Sequence, residues 1–115
     1  MKFRSLLFAA AVVIGLPTGS AMAGDCTGFV VGVAPISEYD RYSGAGFLAV
    51  RTGPGSGYEK IGEVYLGDEI SVWSRRGNWY QIACMSGRCT NPLWGNPSPQ
   101  GWAHGRYLNV DGVCP

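Results

Sequence analysis

Beyond residue 23 no stretch of this chain keeps a helical period of apolar residues for two turns, and glycine and proline interrupt it at close intervals. That pattern leaves short strands joined by turns as the available structure. Phe29–Val33 (FVVGV) is the first such run, followed by a polar tract over residues 34–46 that reads as a loop. Phe47–Thr52 comes next, with Leu48 and Val50 alternating onto one face. Lys60–Tyr65 and Glu69–Arg76 flank a turn at residues 66–68, and Ile70 and Val72 share a face. Gly77 and Asn78 then form a tight hairpin turn into Trp79–Cys84. Residues 90–100 hold three prolines and two Asn-Pro pairs, which excludes a central strand and predicts an inserted loop. Residues 101–110 close the chain with an extended piece, a turn of helix near His104–Tyr107 and a last edge strand. The class is all-β: a small barrel of five to six short strands.

Residues 1–23 stand apart. Lys2 and Arg4 precede an apolar run from Leu6 to Leu16 that ends in an A-x-A site at Ala21 and Ala23, the pattern of a secretory signal peptide. The run is shorter than the roughly 20 residues that span a bilayer. Cys26 follows Asp25 rather than a small residue, which argues against a lipid anchor. Removing 23 of the 115 residues predicts a mature chain of 92, residues 24–115, read as one small domain. Its basic residues fall from nine to seven against eight acidic ones, so strong attraction to nucleic acid or an anionic membrane is not expected.

All four cysteines lie in the mature part, and an even count in an exported chain predicts disulfide staples. Three pairings are possible. Cys84 with Cys89 is favoured, because CMSGRC reads as two strand ends facing across a four-residue turn; Cys26 with Cys114 then ties the ends of the mature chain. A zinc site is the rival reading, but no C-x-x-C pair is present and His104 is the single histidine. No metal or cofactor is expected.

The segment FLAVRTGPGSGYEKIGEV (residues 47–64) raises a functional question, since an arginine followed by three glycines can cradle a phosphate, form a structural turn or line a groove. A dinucleotide loop fails because its third glycine falls on Tyr58 and no helical pattern follows. A P-loop fails for want of Gly-Lys-Ser/Thr, and a nucleophile elbow would need glycine at Pro54. Cysteine nucleophiles need a free thiol, and each cysteine here has a disulfide partner in prospect. Asp68 and Glu69, like Glu59 and Glu63, read as solvated charges at turn or strand-exposed positions rather than as acid–base pairs. The chain is therefore not read as an enzyme.

Residues 47–84 together with GWAHGRYL resemble the bacterial SH3-like (SH3b) domain over residues 47–110. The motif L-x-V-R-x-G-P-x-x-x-Y falls on Leu48, Val50, Arg51, Gly53, Pro54 and Tyr58. Ile61, Gly62, Gly67, Ile70 and Val72 match the middle of the pattern; Trp79, Tyr80 and Ile82, then Gly101, Trp102, Tyr107 and Leu108, match its end. The resemblance implies an SH3-like barrel, here disulfide-stapled, and a binding module for cell-wall peptides or glycans or for an envelope protein. Two departures stand out: the 90–100 insertion, and a tract from Pro35 to Gly46 longer than the usual join between the first two strands. Both bear on the rim of any groove. By the same resemblance the glycine-rich loop is a structural turn after the R-x-G-P strand, with one groove wall as its alternative role.

Strand alternation places Tyr80 and Ile82 toward the core and sends Trp79 and Trp73 outward. Eukaryotic SH3 domains, a more distant resemblance, bind extended peptides with a Trp at the equivalent of Trp79 and a G-W-x-P-x-x-Y segment, in which His104 here replaces the proline and Tyr107 is retained. Tyr58, Trp79, His104 and Tyr107 are therefore the candidate ligand-binding residues, with His104 offering at most one hydrogen bond or a pH-sensitive charge. A second hypothesis is a small secreted inhibitor or effector that inserts Leu93 and Trp94, framed by prolines, into a target protein. A third is a homo-oligomer formed through an edge strand or the inserted loop. Export to the periplasm or outside the cell is common to all three.

Overall fold

The computed structural model describes residues 26–112 and 114. The signal-peptide reading lies outside them. Seven strands run β1 Cys26–Val30, β2 Leu48–Arg51, β3 Lys60–Val64, β4 Glu69–Arg76, β5 Trp79–Ser86, β6 Gln100–His104 and β7 Leu108–Asp111, with short 3-10 turns at Ile36–Glu38, Arg88–Thr90 and Gly105–Tyr107. All pairings are antiparallel, in the order β3-β2-β6-β5-β4-β1-β7. The strand count exceeds the expected five to six, because the closing extended piece and the last edge strand both form strands, β6 and β7. The first expected strand, Phe29–Val33, is displaced toward the N-terminus: β1 starts at Cys26 and ends at Val30, and Gly32 turns the chain away with φ 74.

The sheet bends because its ladders slip. Register shifts occur at Val50/Arg51, Glu69/Ile70 and Val72/Ser74, and the last leaves Trp73 without a partner on β5. Such bulges increase local twist and let a single sheet curl. Inside the curl, Val30, Leu48, Val50, Val64, Ile70, Val72, Ile82, Ala103 and Leu108 form one buried cluster, the inward positions of alternating strands. The β4–β5 hairpin turns at Gly77 and Asn78 with positive φ on Gly77 alone (61°), the requirement of a II′ turn.

Two disulfides join Cys26 to Cys114 and Cys84 to Cys89, as expected. The geometry of the second differs from the expectation. Cys84 lies within β5, but Cys89 sits in the 3-10 turn Arg88–Thr90, not on a facing strand end. Asp68 explains why. It is 3% exposed and accepts from the amides of Tyr65 (2.8 Å), Arg88 (2.8 Å) and Cys89 (2.9 Å), so it holds the 3-10 turn against the barrel. Its reading as a solvated charge is thereby corrected.

Candidate functional site

The hairpin and the following strand bring three of the candidate side chains into a row. Trp79 opens β5 opposite His104 at the end of β6, and their rings meet edge-on with centroids 5.1 Å apart. Tyr107 follows at 6.2 Å from His104. The 3-10 turn Gly105–Tyr107 sets this spacing. His104 caps it by accepting from the Arg106 amide at Nδ1 (3.2 Å), which assigns the imidazole proton to Nε2 when the ring is neutral. The Gly105 amide bonds the Asn78 carbonyl at 2.7 Å, and a Cβ at Gly105 would lie 2.5 Å from the Tyr80 ring, so only glycine lets the turn approach so closely. Beside the row is a cleft of about 490 Å³ lined by Arg75, Asn78, Tyr80, His104, Gly105 and Arg106. The Arg75 and Arg106 guanidinium groups lie 5.5 Å from the ring centroids of Tyr80 and Tyr107.

Tyr58 does not join this row in any observed contact. It is half exposed, and its ring lies over Gly53 and Gly55 in the loop after β2, while its carbonyl accepts from Arg51 (3.0 Å). A Cβ at Gly53 would fall 2.4 Å from that ring. The glycine-rich loop is thus folded around Tyr58. Trp73 and Trp102 face a separate shallow cleft with Gln81 and Gln100.

Leu93 and Trp94 belong to a loop that packs down on the domain. The Leu93 amide donates to the Tyr65 hydroxyl (2.8 Å), the Asn96 amide to the Ile61 carbonyl (3.2 Å) and the Ser98 amide to the Cys89 carbonyl (2.9 Å). Trp94 is partly buried, with the Lys60 ammonium 4.5 Å from its ring centroid, and Leu93 is 46% exposed. The loop therefore covers the free edge of β3 rather than projecting from it.

Sequence reasoning missed the buried carboxylate beneath this loop. Glu63 has no solvent exposure, and it accepts from Tyr39 (2.8 Å), Tyr65 (2.6 Å) and Lys60 (2.7 Å). It is not a solvated charge. Burial and the bond to Glu63 push the Tyr39 phenol up to about 12, and they raise Tyr65 as well. Around the carboxylate, Tyr39 packs on Phe47 (5.6 Å) and Tyr65 (6.3 Å), and Lys60 lies 3.9 Å over Phe47. This cluster joins the 34–46 tract, β3 and the inserted loop. With both oxygens engaged by donors, Glu63 is a structural centre rather than a general base.

Among the described residues no group of three or more His, Cys, Asp or Glu side chains is placed to hold a metal ion, and no helix is long and apolar enough to cross a membrane. A family model described as the bacterial SH3 domain matches residues 46–109, more than half of the 115. The chain belongs to the bacterial SH3 domain family. No curated protein and no solved structure matches it. Bacterial SH3 domains are binding modules, often related to the cell wall, and the seven-stranded all-β architecture agrees with that membership. The match runs from Gly46 to Asn109, so β1 and the tract before Gly46 lie outside it, although β1 pairs with β4 and β7 in the same sheet.

Proposed function

We propose that this protein is an exported, non-catalytic binding module that holds the peptide or glycan of peptidoglycan on the row formed by Trp79, His104 and Tyr107. The observation that carries the reading is the row itself: three rings at successive centroid spacings of 5.1 and 6.2 Å, bordering a cleft. Aromatic rings that meet edge-on beside a cleft offer apolar edges and faces to a ligand, while polar groups at the rim fix its orientation. His104 Nε2–H supplies one such donor, because Nδ1 is already occupied by the Arg106 amide. Two disulfides support an oxidising compartment, the periplasm or the cell exterior. No cofactor enters this function.

The test is retention of the oxidised protein on insoluble peptidoglycan, compared with Trp79→Ala. The wild type is expected to be retained and the variant to bind about tenfold more weakly, the scale of one lost aromatic contact. Wild type that does not sediment with the wall overturns the reading and turns the search to an envelope protein.

A further inference from the structure

The 34–46 tract that precedes the family match builds a groove the row does not use. Its tip is folded tightly on Asp40: the amides of Tyr42 and Ser43 donate to the Asp40 carboxylate (3.0 and 3.3 Å), and those of Gly44 and Ala45 to its carbonyl (3.0 and 3.1 Å). This holds Arg41 and the 88% exposed Tyr42 outward, with the Arg41 guanidinium bonded to the Tyr42 hydroxyl (3.0 Å). Between this tip and β2 lies a groove of about 590 Å³, with Arg41 on one wall, Arg51 among the other lining residues, and Val33, Ala49 and Tyr107 as its partly exposed apolar lining. That volume accommodates a few peptide residues. Among the described residues no acidic side chain lines it.

Lys60 also lines the groove, but its charge is met by Glu63. Lys60–Glu63 is the one ion pair among the described residues, so the Arg41 and Arg51 guanidinium groups have no carboxylate partner there. Arg51 is steadied through Nη1 by the Tyr58 carbonyl (3.0 Å), which leaves the rest of its donor fork available. We propose that this groove is a carboxylate-binding site, in which Arg41 and Arg51 take the carboxylates of an acidic peptide while its aliphatic parts lie on Val33, Ala49 and Tyr107. A planar guanidinium matches the two oxygens of a carboxylate. Phosphate is the weaker fit, because four consecutive amides of the tip, the groups that would cradle it, are turned inward to Asp40. The site deepens the reading of the protein as a peptide-binding module, with Tyr107 shared between groove and row.

The experiment titrates isotope-labelled, oxidised protein with acetyl-Ala-Glu-Ala, with acetyl-Ala-Gln-Ala-amide, and with inorganic phosphate, following the arginine side-chain and backbone NMR signals. The acidic peptide is expected to shift the Nε–H signals of Arg41 and Arg51, and the neutral peptide to leave them in place. Arg41→Met and Arg51→Lys are each expected to weaken binding about tenfold, the second because it keeps the charge and removes the fork. Arg41 is exposed, so its variant tests the site without a cost to folding. Equal binding of the two peptides, phosphate binding as tight as the acidic peptide, or no shift with the acidic peptide at about 10 mM, a concentration that reveals even millimolar affinity, each overturns the proposal. Because the short peptide reads the groove and Trp79→Ala on peptidoglycan reads the row, failure of one is distinguishable from failure of the other.

Discussion

Glu63 carries its charge at a place without solvent, and its three donors decide what substitutions there do. Removing Lys60 leaves the carboxylate with phenols alone, and an uncompensated buried charge is costly. Lys60→Met is expected to destabilise the protein by about 3 kcal/mol in urea unfolding, and an effect below about 1 kcal/mol would show that the ammonium is dispensable. The phenols give a pH signature. Tyr39 stays protonated up to about 12 in the fold, against roughly 10 in an unfolded chain. Because the folded value is the higher one, that contribution is intact below about pH 10 and is lost as pH climbs toward about 12. Melting temperatures measured across that range should fall, and Tyr39→Phe should make the fall shallower; an unchanged slope in the variant would contradict the linkage. None of this was legible from residues 60–65, because alternation puts Glu63 on the face away from Val64 and the barrel core, where strands usually meet water. What covers that face comes from Tyr39 and Trp94, far away in the sequence.

At the scale of elements, the hairpins were the readable part. β4 occupies Glu69–Arg76 as its sequence predicts, since a Gly-Asn turn fixes the register and alternating Ile70 and Val72 fix the face. The loop over residues 90–100 was readable as a loop from its prolines, but where it lies was not, because its docking needs glycines at close approaches as well as the distant Tyr65 hydroxyl. A Cβ at Gly62 would sit 2.5 Å from Cβ of Pro99, and one at Gly95 2.9 Å from the Gly62 backbone. Gly62→Ala should therefore lift the loop from β3 and cost about 1 to 3 kcal/mol, with a lower urea midpoint; an unchanged midpoint would mean that the loop is not docked there. The same docking keeps Trp94 against Lys60 while Leu93 stays exposed.

Across the whole molecule, the Cys26–Cys114 bond ties β1, which pairs with both β4 and β7, to a cysteine beyond the end of β7. It spans 88 positions, and on the chain-entropy view a closure of that length contributes about 4 to 5 kcal/mol. Cys26→Ser with Cys114→Ser should lower stability by an amount of that order, and a variant of unchanged melting temperature would contradict it. The barrel and both disulfides were legible in the chain, because they follow from turn spacing and an even cysteine count. The candidate site was legible in part: Trp79 and His104 meet through strand pairing and the 3-10 turn brings Tyr107 beside them, whereas Tyr58 closes over its own glycines. The central claim is that the row holds the ligand, and the most direct measurement is an NMR titration with soluble peptidoglycan fragments released by a muramidase. Shifts concentrated on Trp79, His104 and Tyr107 are the predicted result; shifts confined to Leu93–Gly95, or none at all, would contradict it.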